Sequence, residues 1–237
     1  MVQIPAYVSI VFLVTTFVTV GIFIYAVRRA ASDSNYAKTL IFLLPFWMMF
    51  QAALSIGGFF QNTSAFPPRL FLFGVAPALV LIGFYFIFAR DRFISELPIR
   101  VLTMIHVIRI PVELVLNWLY ENGMVPGIMT FHGTNFDILS GITAPAIYYF
   151  VFRANTVNRP LLIIWNVLAL GLVLNVVITA VLCVPSPIQQ LAFDQPNHAV
   201  LFFPYILLPT VIVPIVFFCH AASLWQLRAK KRNSARL

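Results

Sequence analysis

The sequence predicts an all-α integral membrane protein, a bundle of seven spanning helices with the N-terminus outside and the C-terminus in the cytoplasm. Three observations carry that expectation. Of 237 residues, 61% are hydrophobic and only 9% charged, and the mean hydropathy is +0.95, far from the makeup of water-soluble domains. The apolar residues fall into runs long enough to cross a hydrocarbon core of about 30 Å, which takes about 20 residues of helix. Lysine and arginine are concentrated in alternate loops.

Seven runs follow one another: Pro5 to Val27, Thr39 to Phe60, Leu70 to Ala89, Ile99 to Tyr120, Phe136 to Phe152, Leu161 to Val184 and His198 to Leu227. They are apolar on all sides and about twice the length of the alternating segments of an outer-membrane barrel, which argues against strands. Residues 1–227 read as one seven-helix domain and residues 228–237 as a basic cytoplasmic tail. The first run has no basic stretch ahead of it and carries Arg28 and Arg29 behind it, so it reads as a retained span rather than a cleaved signal.

Basic residues set the orientation. Arg28, Arg29 and Lys38 flank the first loop, Arg90, Arg92 and Arg100 the third, Arg153 and Arg159 the fifth, and Arg228, Lys230, Lys231, Arg232 and Arg236 follow the last run. The even-numbered loops hold Arg69 alone. The positive-inside rule therefore puts the odd loops and the tail in the cytoplasm, as in a plasma membrane or a bacterial inner membrane. The net charge of +8 is accounted for by those loops, and the partners it implies are membrane lipids rather than nucleic acid.

Cys183 and Cys219 fall near opposite ends of their spans, beyond disulfide reach. No lysine precedes Lys230 in the seventh run, which excludes a retinal Schiff base there. His220 reads as interfacial, near the cytoplasmic end of that run. The loop after the fourth run holds Asn122-Gly123, Pro126-Gly127 and Gly133 around the apolar stretch Ile128 to Phe131, and so should turn back over the bundle. Thr134 or Asn135 would cap the fifth helix, with Asp137 in its first turn.

The fourth run is the polar one. His106, Arg109, Glu113 and Asn117 are spaced by 3, 4 and 4, which gathers them within an arc of roughly 80° on a helix. With Arg109 at mid-depth, His106 would lie about 5 Å toward the cytoplasm, Glu113 about 6 Å and Asn117 about 12 Å toward the outside. Arg109 and Glu113 form an i, i+4 pair able to neutralise each other, although the reverse order is the stronger one. Pro111 between them frees the Val107 carbonyl.

Other runs supply candidates at similar depth: Asp137, Ser140, Gly141, Ala144 and Tyr148 on one face of the fifth, Asn175 and Thr179 in the sixth, Gln51 and Ser55 in the second, and His198 and Tyr205 in the seventh. Polar groups at these depths face other helices or a water-filled cavity. The ligand-binding or proton-coupling set is thus His106, Arg109, Glu113, Asn117, Asp137, Ser140, Asn175, His198 and Tyr205. It implies binding or transport of a small polar or ionic solute through an outward-facing pocket, with a proton exchanged at Glu113 or His106. A membrane-embedded enzyme acting on lipid and a sensor or assembly subunit are the competing readings. No HExxH, no histidine pair at i, i+4 and no cysteine cluster points to a metal, and no cofactor is expected.

Overall fold

The computed structural model describes residues 4–31, 34–153 and 157–234, and every regular element among them is helical. The elements are α1 (Ala6–Ala31), α2 (Asn35–Ile56), α3 (Ala76–Phe88), α4 (Ile99–Met104), α5 (Arg109–Glu121), α6 (Ile138–Phe152), α7 (Arg159–Cys183) and α8 (Val213–Ser234). A 3-10 stretch, Ile105–Ile108, joins α4 to α5, and π-helical turns precede α3 (Leu70–Val75) and α8 (Leu208–Ile212). Counting α4 and α5 as one body gives seven helical bodies, the number of apolar runs. Five helices, Ala6–Ala30, Asn35–Ile56, Leu70–Phe88, Arg159–Cys183 and Leu208–Ala229, are long and apolar enough to cross a membrane. α6 is apolar but has 15 residues, and the α4–α5 body carries the polar stripe.

The α4–α5 body and α8 lie at the centre. α5 packs against α1 and α6, while α4 packs against α6, α8 and α1, and α8 touches α7, α3 and α4. α2 and the Leu70–Phe88 helix are the least buried of the long helices, and α8 is the most buried. Gly141 brings α6 against the central body: a Cβ there would stand 2.9 Å from Ile110 Cγ1 and 3.1 Å from the Ile110 amide nitrogen. Gly74 does the same for the two π-helical turns, where a Cβ would meet Thr210 Cγ2 at 2.8 Å.

Prolines shape the helix starts, and α2 supplies the missing donors. Pro77 and Pro214 lack the N–H groups that would reach back four residues to the carbonyls of Phe73 and Thr210. Gln51 Nε2 donates to Phe73 O at 3.0 Å and Trp47 Nε1 to Thr210 O at 2.9 Å. Positions 47 and 51 are one turn apart, so a single face of α2 serves both breaks. At Pro111 the chain answers differently, tightening to 3-10 geometry just before it, where carbonyls accept from one residue nearer.

Three expectations are corrected here. The fourth run is not one uniform α-helix, because the 3-10 stretch interrupts it. The last helix begins at Leu208, not His198: residues 198–207 hold a 3-10 turn, Ala199–Leu201, and irregular chain around Pro204. Proline at 209 then falls in the first turn of the helix, where its lost donor would be unpaired anyway. The third concerns the cap of α6. Asp137 occupies the N-cap position, and Asn135 precedes it in an Asx turn, its Oδ1 accepting from the Asp137 amide at 2.9 Å. The loop ahead of it does fold back, with Val125, Met129 and Thr130 buried. Of the basic tail, Arg228 extends α8, whereas the side chains of Lys230, Lys231 and Arg232, and Arg236 altogether, lie outside the described residues.

Candidate functional site

At the junction of the 3-10 stretch with α5, Arg109 is 2% exposed. Its Nη1 meets Asp137 Oδ1 at 2.9 Å and donates to Ala169 O at 3.2 Å; its Nη2 donates to His220 Nε2 at 3.0 Å. Three other helices, α6, α7 and α8, thus converge on one guanidinium. Arginine only donates, so His220 Nε2 is the accepting nitrogen, and the proton sits on Nδ1. That assignment agrees with the other side of the ring, where Nδ1 lies 2.8 Å from Asn166 Oδ1, whose Nδ2 donates to Leu162 O at 2.8 Å. His220 is therefore the neutral Nδ1–H tautomer.

His106 lies flat on this ring, with centroids 3.9 Å apart and an interplanar angle of 17°. It meets Trp165 edge-on at 5.4 Å. His106 is fully buried and neither of its ring nitrogens has a hydrogen-bond partner among the described residues. Ser140 Oγ lies 3.5 Å from Asp137 Oδ1, closing the acidic end of the cluster.

Glu113 stands on the next turn of α5, yet no ion pair joins it to Arg109. Asn135 Nδ2 donates to Glu113 Oε2 at 2.7 Å and to Met129 O at 2.9 Å. The expected i, i+4 pair is thus replaced: Asp137 takes the arginine, and the folded-back loop takes the glutamate. With arginine on the N-terminal side the helical pair is the weaker arrangement, and Asp137 offers its oxygen from a separate helix start.

The remaining candidates are placed apart from this cluster. Asn117 Nδ2 donates to Glu121 Oε1 at 2.8 Å. Asn175 Nδ2 donates to Thr134 O at 2.9 Å on an exposed surface, pinning the loop to α7. Tyr205 is buried against α1, its hydroxyl 2.9 Å from Ser9 Oγ. His198 is half-buried before the 3-10 turn. His220, expected at an interface, is instead fully buried, because the helix that carries it starts ten residues later than the apolar run.

Sequence reasoning took Asn135 only as a candidate helix cap and passed over Asn166 and Asn197. Asn166 and His220 are single polar residues deep inside apolar runs, and that isolation was the available signal. Asn197 lies in the long connection between α7 and α8, where nothing distinguishes it from an ordinary loop residue. Its backbone nitrogen donates to Cys183 O at 2.8 Å, but its side chain is wholly buried, with both Nδ2 and Oδ1 unpartnered among the described residues.

Two cavities matter to this site. The larger, about 240 Å³, is walled by Phe23, Leu44, Trp47, Tyr85, Ile215 and other largely apolar side chains, without a charged one. The smaller, about 100 Å³, is lined by Arg109, Glu113, Asp137 and Asn197 and by a wall that is otherwise apolar. Chemistry belongs to the smaller one. No group of three or more His, Cys, Asp and Glu side chains is placed to hold a metal ion among the described residues.

Residues 67–228 match the family described as a domain of unknown function, DUF8737. The matched span includes every member of the polar cluster and of the smaller cavity's polar wall, whereas α1 and α2 lie ahead of it. No curated protein and no solved structure matches the chain.

Proposed function

The chain belongs to the DUF8737 family, and on that footing we propose that it is a multi-pass membrane protein that binds or carries a small polar or ionic solute at the Glu113 cavity. The N-terminus is outside and the C-terminus cytoplasmic. Membrane embedding is supported by the inverted distribution of side chains. Phe42, Phe46 and Met49 on α2, Val80 and Ile87 on α3 and Leu168 on α7 are each more than half exposed, while the arginine, carboxylates and amides lie inside. Such an apolar exterior suits lipid and not water. Arg29 over Tyr25, Arg100 over Phe152 and Arg153 over Tyr149, at 5.2, 5.3 and 5.8 Å from ring centroids, fit an interfacial belt on the cytoplasmic side.

One observation carries the solute-binding reading. A cavity of about 100 Å³ touches two carboxylates and an arginine in an interior where a purely structural bundle would pack aliphatic side chains. Glu113 is the group that exchanges a proton as solute enters or leaves. It is faced by Arg109 on α5 and by Asn135 and Asp137 before α6.

The test is ligand-induced thermal stabilisation of the purified protein in detergent, against a panel of small amines, carboxylates, polyols and sugars. The wild type is expected to be stabilised by one class of solute. A Val177→Phe variant, which fills the cavity, is expected to lose that stabilisation while keeping its helical circular dichroism. A panel without effect on the wild type would sink the reading.

A further inference from the structure

We infer that the larger cavity is a side slot that holds one acyl chain of an anionic phospholipid. This site rests on the membrane setting proposed above and is independent of the Glu113 cavity. Its floor is made by α1 and α8, where Phe23, Ile215 and Phe218 are each no more than 4% exposed. Its rim is made by α2 and α3, where Leu43, Trp47, Leu81 and Ile82 are half-buried. The opening therefore lies between α2 and α3, which belong to the two least buried of the long helices.

Two hydrogen bonds hold those helices side by side at the ends of the opening. Gln51 Nε2 donates to Phe73 O at 3.0 Å at one end, and Tyr85 Oη donates to Tyr36 O at 2.8 Å at the other. Between these points α2 and α3 have no extended packing against each other. The walls run about 10 to 12 Å along the helix axes, from Trp47 to Leu40 and from Pro77 to Tyr85.

Nothing in the slot recognises a polar guest. Its polar side-chain groups are already engaged: the Thr210 hydroxyl donates to Ile206 O at 2.8 Å, the Trp47 indole to Thr210 O at 2.9 Å, and the Tyr85 hydroxyl to Tyr36 O. A void of about 240 Å³ exceeds the roughly 150 Å³ that takes benzene, and an apolar void of that kind stays dry. Left empty, it forfeits dispersion contacts on every wall in an interior that is otherwise close-packed. In a bilayer the group at hand to restore them is a hydrocarbon chain. An elongated slot open along its side suits a chain better than a fused-ring lipid or a compact aromatic.

Charge at the two ends of the slot selects the head group. At the Leu40 and Tyr85 end, the adjoining loops carry Arg28, Arg29, Lys38, Arg90, Arg92 and Arg100 against Asp33, Asp91 and Glu96. At the Trp47 and Pro77 end, the loop between α2 and α3 carries Arg69 alone, and that guanidinium lies over the Phe59 ring at 4.7 Å. Basic side chains beside a membrane surface attract anionic lipid over about a Debye length, roughly 8 Å at physiological ionic strength. The phosphate therefore sits at the first end, with its chain running back between α2 and α3.

Trp47, at the rim, reports on occupancy. Protein with Trp47 as its sole tryptophan (Trp118→Phe, Trp165→Phe, Trp225→Phe) is reconstituted into phosphatidylcholine vesicles holding increasing amounts of phosphatidylglycerol brominated midway along its chains. The reverse mixture, brominated phosphatidylcholine in phosphatidylglycerol, is the comparison. The anionic lipid is expected to reach half its final quenching at a mole fraction about threefold or more below that of the neutral one, and about 1 M salt should shrink that difference. The difference in quenching between wild type and Trp47→Phe reads the same quantity without the triple replacement. Ala78→Phe, which puts a ring into the slot, and Leu81→Phe, which does so from the half-exposed rim, should each abolish the preference and leave only the shallow quenching by bulk lipid. Equal quenching by the two lipids would overturn the anionic-lipid assignment, and a preference that survives both filling variants would overturn the slot as its site. Protein that fails to float with the vesicles would overturn the membrane setting together with the site. The expected quenching alongside a solute panel without effect would support the slot and overturn only the Glu113 reading.

Discussion

Arg109 takes its partners from α6, α7 and α8 and none from its own helix. In a low-dielectric interior each partner matters, because an arginine stripped of its counter-ion cannot shed its charge. Asp137→Ala is therefore expected to lower stability by about 3 to 5 kcal/mol, read as a shift in the unfolding midpoint in mixed micelles. Replacing both groups, Arg109→Met with Asp137→Leu, should recover most of that loss. Glu113→Gln should stay within about 1 kcal/mol of wild type, since an amide oxygen can still accept from Asn135. A mild effect of Asp137→Ala would show that the ion pair does not hold the helices together. The stripe was legible in the sequence: spacing alone put His106, Arg109 and Glu113 on one buried face. The identity of each partner was not, because Asp137 and Asn135 are brought in by a loop whose course depends on tertiary packing. His220 was misplaced for a simpler reason, a helix start read from hydropathy where proline and irregular chain intervene.

Among the elements, the helices are broken where they meet, and the breaks ahead of α3 and α8 are closed from α2. Trp47→Phe removes the indole donor to Thr210 O and leaves a buried carbonyl short of a partner, at an expected cost of about 1 to 3 kcal/mol. Pro214→Ala would return a backbone N–H four residues downstream of that carbonyl. The double variant should then lose less than the sum of the two single changes, as measured in a double-mutant cycle of unfolding free energies. Strict additivity would mean the indole and the missing amide are unrelated. Hydropathy located the helical bodies, since it measures apolar length directly. It missed the 3-10 stretch and the π-helical turns, because these follow from how neighbouring side chains satisfy carbonyls that proline frees, and a single helix does not contain that information.

For the whole molecule, the apolar exterior and the uneven basic residues make the orientation testable by labelling. Cysteine placed at Ser64, exposed beside Arg69, is expected to react with a membrane-impermeant maleimide from outside intact cells. Cysteine at Glu96, exposed in the connection between α3 and α4, should react only after permeabilisation. The native thiols Cys183 and Cys219 are both buried and should stay silent. The reverse pattern would invert the topology and place the Glu113 end of the central body in the cytoplasm. The arrangement at α2 also bears on how such a chain is made. Trp47 and Gln51 leave the ribosome before Phe73 and long before Thr210, so each donor is already made when its carbonyl arrives. Supplying α1 and α2 as a separate segment only after the rest of the chain has been made would keep the same partners available but reverse that order. If the chain spans a membrane as proposed, the two interrupted helices would then enter lipid with those carbonyls open, a cost that the native order of synthesis avoids.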